Sequence, residues 1–138
     1  MNHVFTLLVI GFLGCSSNHE ARTPREFIEK YSDAWQREDV DTILNMRVRK
    51  KYPDLEIKPD LRKTIEEYWL GHEKEEIEQS IKRRDFSYTA WTKTTYVSER
   101  EHDDHIHVDV QIEGARSAVV LVRDGGLLKI HPNPSLFR

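Results

Sequence analysis

The sequence predicts an α+β domain, with N-terminal helices packed on one face of a curved antiparallel β-sheet (an α+β roll). Three observations carry this. Apolar residues recur at helical spacing in the first half of the chain, and they alternate with period two in the last third. Two Xaa-Gly pairs, Glu113-Gly114 and Asp124-Gly125, fall where that alternation has to turn. Asp-Gly is a strong two-residue hairpin signal, because both central residues need φ > 0.

The totals fit one domain. A chain of 138 residues is long enough to bury a core. A third of the residues are charged but the net charge is only −3, so bulk charge gives no reason to expect nucleic acid or a membrane surface as a partner. Cys15 is the single cysteine, which excludes an intramolecular disulfide.

Taken in order, residues 1–14 hold the apolar run Val4–Leu13, and no acidic or basic residue occurs before Glu20. About ten apolar residues are too few to span a bilayer and suit the core of a signal peptide. The end of this run, Phe12-Leu13-Gly14-Cys15, resembles the lipobox of bacterial lipoproteins. That resemblance implies cleavage before Cys15, lipid on its thiol, and a chain anchored to a membrane of the cell envelope on the periplasmic side or the cell surface. Residues 15–22 then read as a polar tether, and residues 23–138 as the domain.

Thr23 caps a first helix with Pro24 at its first position and Glu26 completing a capping box. Phe27, Ile28, Tyr31, Ala34 and Trp35 follow at helical spacing. Asp39 caps a short second helix with Val40, Ile43, Leu44 and Val48 on one side. The basic run Arg47–Lys51 reads as a solvated face that complements the dipole at the end of that helix, with a binding patch as the alternative. Tyr52–Pro59 is a loop. Asp60 is placed as the cap of a third helix, with Leu61, Ile65, Tyr68, Trp69 and His72 along one side, continued by Ile77 and Ile81. Gly71 is a point where it could break, and Glu73, Glu75, Glu76 and Glu78 read as exposed charge.

Phe86–Val97 is rich in Thr, Tyr and Trp and reads as a long strand. The meander follows. A Glu113-Gly114 loop sets Val108 against Val119 and Ile106 against Leu121; an Asp124-Gly125 loop sets Leu121 against Leu128 and Val119 against Ile130. One face then collects Ile106, Val108, Val110, Ile112, Val119, Leu121, Leu128 and Ile130, and is the dry one. The other carries His105, His107, Asp109, Gln111, Arg116, Lys129 and His131, with Ala118, Val120 and Val122 suggesting self-association into a homodimer.

This order of elements, from Phe27-Ile-Glu-Lys-Tyr-Ser-Asp-Ala-Trp35 and Asp39-Val-Asp-Thr-Ile-Leu44 to the strands ending at Pro132, resembles the nuclear transport factor 2-like superfamily. It is most similar to that superfamily's small bacterial lipoproteins. The resemblance implies a pocket between the helices and the concave sheet face, with Tyr31, Trp35, Tyr68, Trp69 and Trp91 as candidate walls. It implies a non-catalytic envelope domain that binds a small apolar ligand or a protein partner. Catalytic relatives place an Asp or His inside the cone, whereas here the strand His and Asp residues fall on the outer face, so no catalytic residue is assigned. No phosphate loop, serine elbow or CxxC pair occurs, and no cofactor is expected. Two alternatives stay open: an isomerase- or dehydratase-like enzyme of the same fold, and a metal-binding module at His105 and His107, the HxH pair that zinc sites use.

Overall fold

The computed structural model describes residues 19–49 and 56–131. The predicted signal segment 1–14, Cys15 and the first part of the tether lie outside the described residues. The elements are α1 (Pro24–Gln36), α2 (Val40–Asn45), α3 (Pro59–Arg83), α4 (Phe86–Thr92), β1 (Thr94–Glu101), β2 (Ile106–Ile112), β3 (Ala115–Asp124) and β4 (Leu127–Ile130). The strands form one antiparallel sheet in sequence order, and α1 packs across it on β1 and β4. The architecture is α+β. No helix among the described residues is long and apolar enough to cross a membrane.

Helix α1 starts as its sequence dictates. The Thr23 hydroxyl accepts from the Glu26 N–H at 3.2 Å, while the Glu26 carboxylate reaches back to the Arg22 N–H at 3.3 Å. Phe27, Ile28, Tyr31, Ala34 and Trp35 are all buried on its inner side. They meet Ile106, Val108, Val110, Leu121, Leu128 and Ile130 from the predicted dry face of the sheet. Removing this surface from water stabilises the fold by roughly 25 cal/mol per Å2 of apolar area.

The β2–β3 register is the predicted one, with Val108 opposite Val119 and Ile106 opposite Leu121. The β3–β4 register is not. Leu121 pairs with Ile130 and Arg123 with Leu128, and the chain turns on Gly125-Gly126. Those glycines take φ of 59° and 82°, a conformation that costs glycine little and aspartate more. Moving a two-residue loop by one position moves each pair by two, so every side chain keeps its face. The hydrophobic pattern therefore could not choose between the two registers.

Two further expectations are corrected. Phe86–Thr92 is a helix, and the strand begins at Thr94. Asp85 caps it, accepting from the Tyr88 N–H at 3.1 Å. Its i, i+3 pair Tyr88 and Trp91 then packs on Trp35 and Tyr31; tertiary contacts override the β propensity of these residues. Helix α3 begins at Pro59 with Lys58 as its cap, so Asp60 sits inside the first turn, and the helix runs unbroken through Gly71.

The Asp85 cap gives a pH-dependent prediction. The Ser80 hydroxyl, donating at 2.8 Å, is the main cause holding the Asp85 carboxyl below its ordinary value; burial works against it and the Tyr88 N–H adds to it. Since the folded pKa lies below the unfolded one, the stabilisation is complete above about pH 4 and is lost as pH falls through the folded value. Asp85→Ala should lower stability by about 1 kcal/mol at neutral pH. In urea titrations the gap to the unsubstituted chain should close in acid. A gap that persists at about pH 2 would show that the ionised cap is not its source.

Both margins of the sheet are modified. Beyond β4, the Leu128 N–H donates to the Ala21 carbonyl at 2.9 Å, the Ile130 N–H to the Met46 carbonyl at 2.9 Å, and the Val48 N–H to the Ile130 carbonyl at 3.0 Å. At the other margin β1 carries a bulge between Tyr96 and Ser98, followed by Glu99, Arg100 and Glu101.

Candidate functional site

The bridge between Arg47 and Ile130 decides where Arg47 goes. Met46 is fully buried. The chain leaves α2 there, and the Arg47 guanidinium enters the layer between α1 and α3. There Nε donates to the Tyr31 hydroxyl at 3.0 Å, and Nη1 donates to Glu73 Oε1 at 3.3 Å. The Arg47 and Glu73 side chains are 21% and 19% exposed, so this ion pair is largely dry. Burial is the largest influence on the guanidinium and opposes its charge, but the Tyr31 oxygen and the Glu73 carboxylate together raise its pKa above the ordinary arginine value. Nη2 has no protein partner among the described residues.

Arg47 closes one end of a cavity of about 240 Å3. Its walls are Tyr31 from α1, Trp91 from α4, Ala118, Val119 and Val120 from β3, and Ile130 and His131 at the end of β4. The Tyr31 and Trp91 rings meet edge to face with centroids 4.6 Å apart. Among the described residues the lining holds no carboxylate; its ionisable groups are one guanidinium, one phenol and one imidazole. A larger groove, about 550 Å3, runs along α3 and also touches Arg47, but its lining is charged and polar, including Glu75, Glu76, Arg83 and Asp85. It offers no aromatic wall.

The five candidate wall residues separate into three environments. Tyr31 and Trp91 line the cavity. Trp35 is fully buried beside it, edge to face with Tyr31 at 6.3 Å and with Tyr88 at 6.4 Å, and its indole N–H has no hydrogen-bond partner among the described residues. Tyr68 and Trp69 stand on the outside of α3, 67% and 36% exposed, and touch each other rather than the cavity. The stripe of α3 that turns inward contains Leu70, Glu73, Ile77 and Ile81. On the outer sheet face, Val120 is buried within the chain while Ala118 is exposed and Val122 half-buried.

His105 and His107 gain a neighbour that the sequence reading did not single out. The rings of His102, His105 and His107 lie 4.6–6.1 Å apart. His105 Nδ1 is 2.5 Å from Asp104 Oδ1, and this contact is the main cause holding the Asp104 carboxyl below its ordinary value. The ring of His102 lies flat on that of His105, at 15°. Asp109 accepts from the Ser98 hydroxyl at 3.0 Å. Among the described residues no three His, Cys, Asp or Glu side chains are arranged to hold a metal ion.

The sequence reading missed Arg47 and Glu73 as site residues. Arg47 belongs to the basic run and Glu73 to an acidic one, and both look solvated there. The available signal was spacing: Glu73 lies one turn before Ile77 and two before Ile81, on the face that α3 buries.

Fold and site together define an α+β domain with a small aromatic-walled cavity between its helices and its sheet. No protein-family model matches the chain, and neither a curated protein nor a solved structure is similar to it.

Proposed function

We propose that this chain is a non-catalytic binding domain of the nuclear transport factor 2-like type. It is held at the cell envelope by lipid on Cys15 and takes a small, mostly apolar molecule into the cavity beside Tyr31 and Trp91. The observation that carries the reading is the lining. Aromatic and aliphatic walls enclose about 240 Å3, with a single guanidinium at one end. Sites for drug-sized ligands occupy roughly 300–1,000 Å3, so the ligand is smaller than these. Its apolar body rests on Trp91, Val119 and Ile130, and one acceptor or anionic group meets Arg47 Nη2. Such a pattern, mostly apolar with one placed polar group, favours binding over turnover.

Native mass spectrometry of the chain isolated from membranes should show a bound small molecule. Val119→Phe fills the cavity from a half-buried wall position. It should reduce occupancy at least tenfold, while the melting temperature moves by only a few degrees. A bound species that survives Val119→Phe unchanged would place the ligand elsewhere and remove this reading.

A further inference from the structure

A second cavity, about 540 Å3, opens on the other side of Arg47, at the turn end of β3 and β4. Its character is opposite to that of the first. Among the described residues, Arg49, Arg123, Lys129 and Arg47 face it, against one carboxylate, Asp124. The whole chain carries a net charge of −3, so this cluster of cations is a local feature that runs against the molecule's overall sign. Arg49 bonds the neutral Asn45 side chain at 3.2 Å. The Lys129 ammonium donates to the Asn45 carbonyl. Among the described residues, Arg123 alone of the outer three has a carboxylate partner, Glu101 at 2.8 Å. Burial lowers the Lys129 pKa, the nearby Arg49 charge adds to that, and Asp124 and Glu20 oppose it.

The position of this cavity along the chain supplies the second argument. His19 lines it, and Ala21 is buried and bonded to β4. Cys15 precedes Ala21 by six residues, which span at most about 20 Å even when fully extended. Lipid on Cys15 would hold the basic cavity within that distance of a bilayer. The domain cannot turn it far away, because the point of attachment lies beside the cavity itself.

We infer that the face formed by Arg49, Arg123 and Lys129 docks on the anionic phospholipid headgroups of the membrane to which the chain is anchored. The inference rests on the anchored reading for its choice of occupant. Guanidinium and ammonium groups suit phosphate oxygens, and attraction to an anionic surface acts only within about a Debye length, roughly 8 Å at physiological salt. Anchoring brings the surface near; the basic face then sets the orientation of the domain.

The test uses the full chain carrying Cys15→Ser, so that no lipid contributes. Cosedimentation is compared on vesicles of phosphatidylcholine alone and of phosphatidylcholine mixed with phosphatidylglycerol. The apolar leader partitions into both alike, so the signal is the difference between them. Anionic vesicles should bind the chain more strongly, and about 1 M salt should remove the excess. Arg49 and Arg123 are exposed, and R49Q/R123Q should reduce the excess about twenty-five-fold, at about fivefold per residue. Neutralising two exposed cations elsewhere, with K82Q/K93Q, should leave it unchanged. Equal binding to both vesicle types, or an equal loss in the two double variants, would overturn the docking face. Complete competition by millimolar inorganic phosphate would also overturn it, in favour of a free-anion site. The mass of Cys15 in natively expressed chain tests the anchor separately: unmodified Cys15 alongside selective vesicle binding would sink the anchor but not the basic face.

Discussion

Trp35→Ala is expected to lower the free energy of unfolding by about 4 kcal/mol, the range seen when a large buried aromatic is truncated. Trp35 is completely buried and joins three elements: it lies on α1, stands edge to face with Tyr88 of α4, and belongs to the cluster that packs on β2, β3 and β4. Its loss leaves a cavity where α1, α4 and the sheet meet. Domains of this size have about 5–15 kcal/mol in total, so the variant should retain only a marginal fold. Trp35→Phe should be milder, about 1–2 kcal/mol, because it keeps most of the ring and removes an indole N–H that is buried without a partner. Urea titration followed by far-ultraviolet circular dichroism measures both. If Trp35→Ala costs less than about 1 kcal/mol, α4 is not held through this residue.

The second large effect concerns Arg47 and Glu73. Removing either alone strands the other charge in a largely dry layer. Arg47→Met should cost about 2–3 kcal/mol, less than for a fully buried pair because both side chains keep about a fifth of their exposure. Glu73→Met should cost a similar amount. The double substitution R47M/E73M should lie within about 1 kcal/mol of the unsubstituted chain, since neither charge is then left without its partner. A double variant as unstable as the sum of the singles would mean that the pair is not coupled, and that Arg47 is held by Tyr31 alone. The contrast also separates fold from site: R47M/E73M should fold yet bind the cavity ligand poorly, since Nη2 is gone.

Much of this arrangement was legible in the sequence, for identifiable reasons. Side chains that alternate with period two declare a face, and the dry side of β2 follows from Ile106, Val108 and Val110 alone. The caps at Thr23 and Asp39 work as read, because a short polar side chain one residue before an apolar repeat has few other uses. What stayed hidden depends on contacts distant in sequence. Phe86–Thr92 has strand-like composition, and it is helical through the Asp85 cap and the packing of Tyr88 and Trp91 on Trp35 and Tyr31. The β3–β4 register was invisible because both loops keep the same faces. Arg47 looks solvated until the chain after α2 lies along β4. Tyr68 and Trp69 fit an inward stripe as letters, yet alongside the expected Ile77 and Ile81 α3 turns Leu70 and Glu73 inward instead. Helical spacing alone does not say which of two neighbouring stripes is covered when both are half apolar.

The treatment of the two sheet margins has a consequence for how copies of this chain behave at high local density. Ala21 and the Met46–Val48 segment use the outward groups of β4, and the bulge and charged tail of β1 spoil the opposite template. At these two places another chain finds little straight, unpaired backbone against which to lay a strand. Crowded side by side, such domains can still meet through side chains, while strand addition at β4 and at the end of β1 is disfavoured.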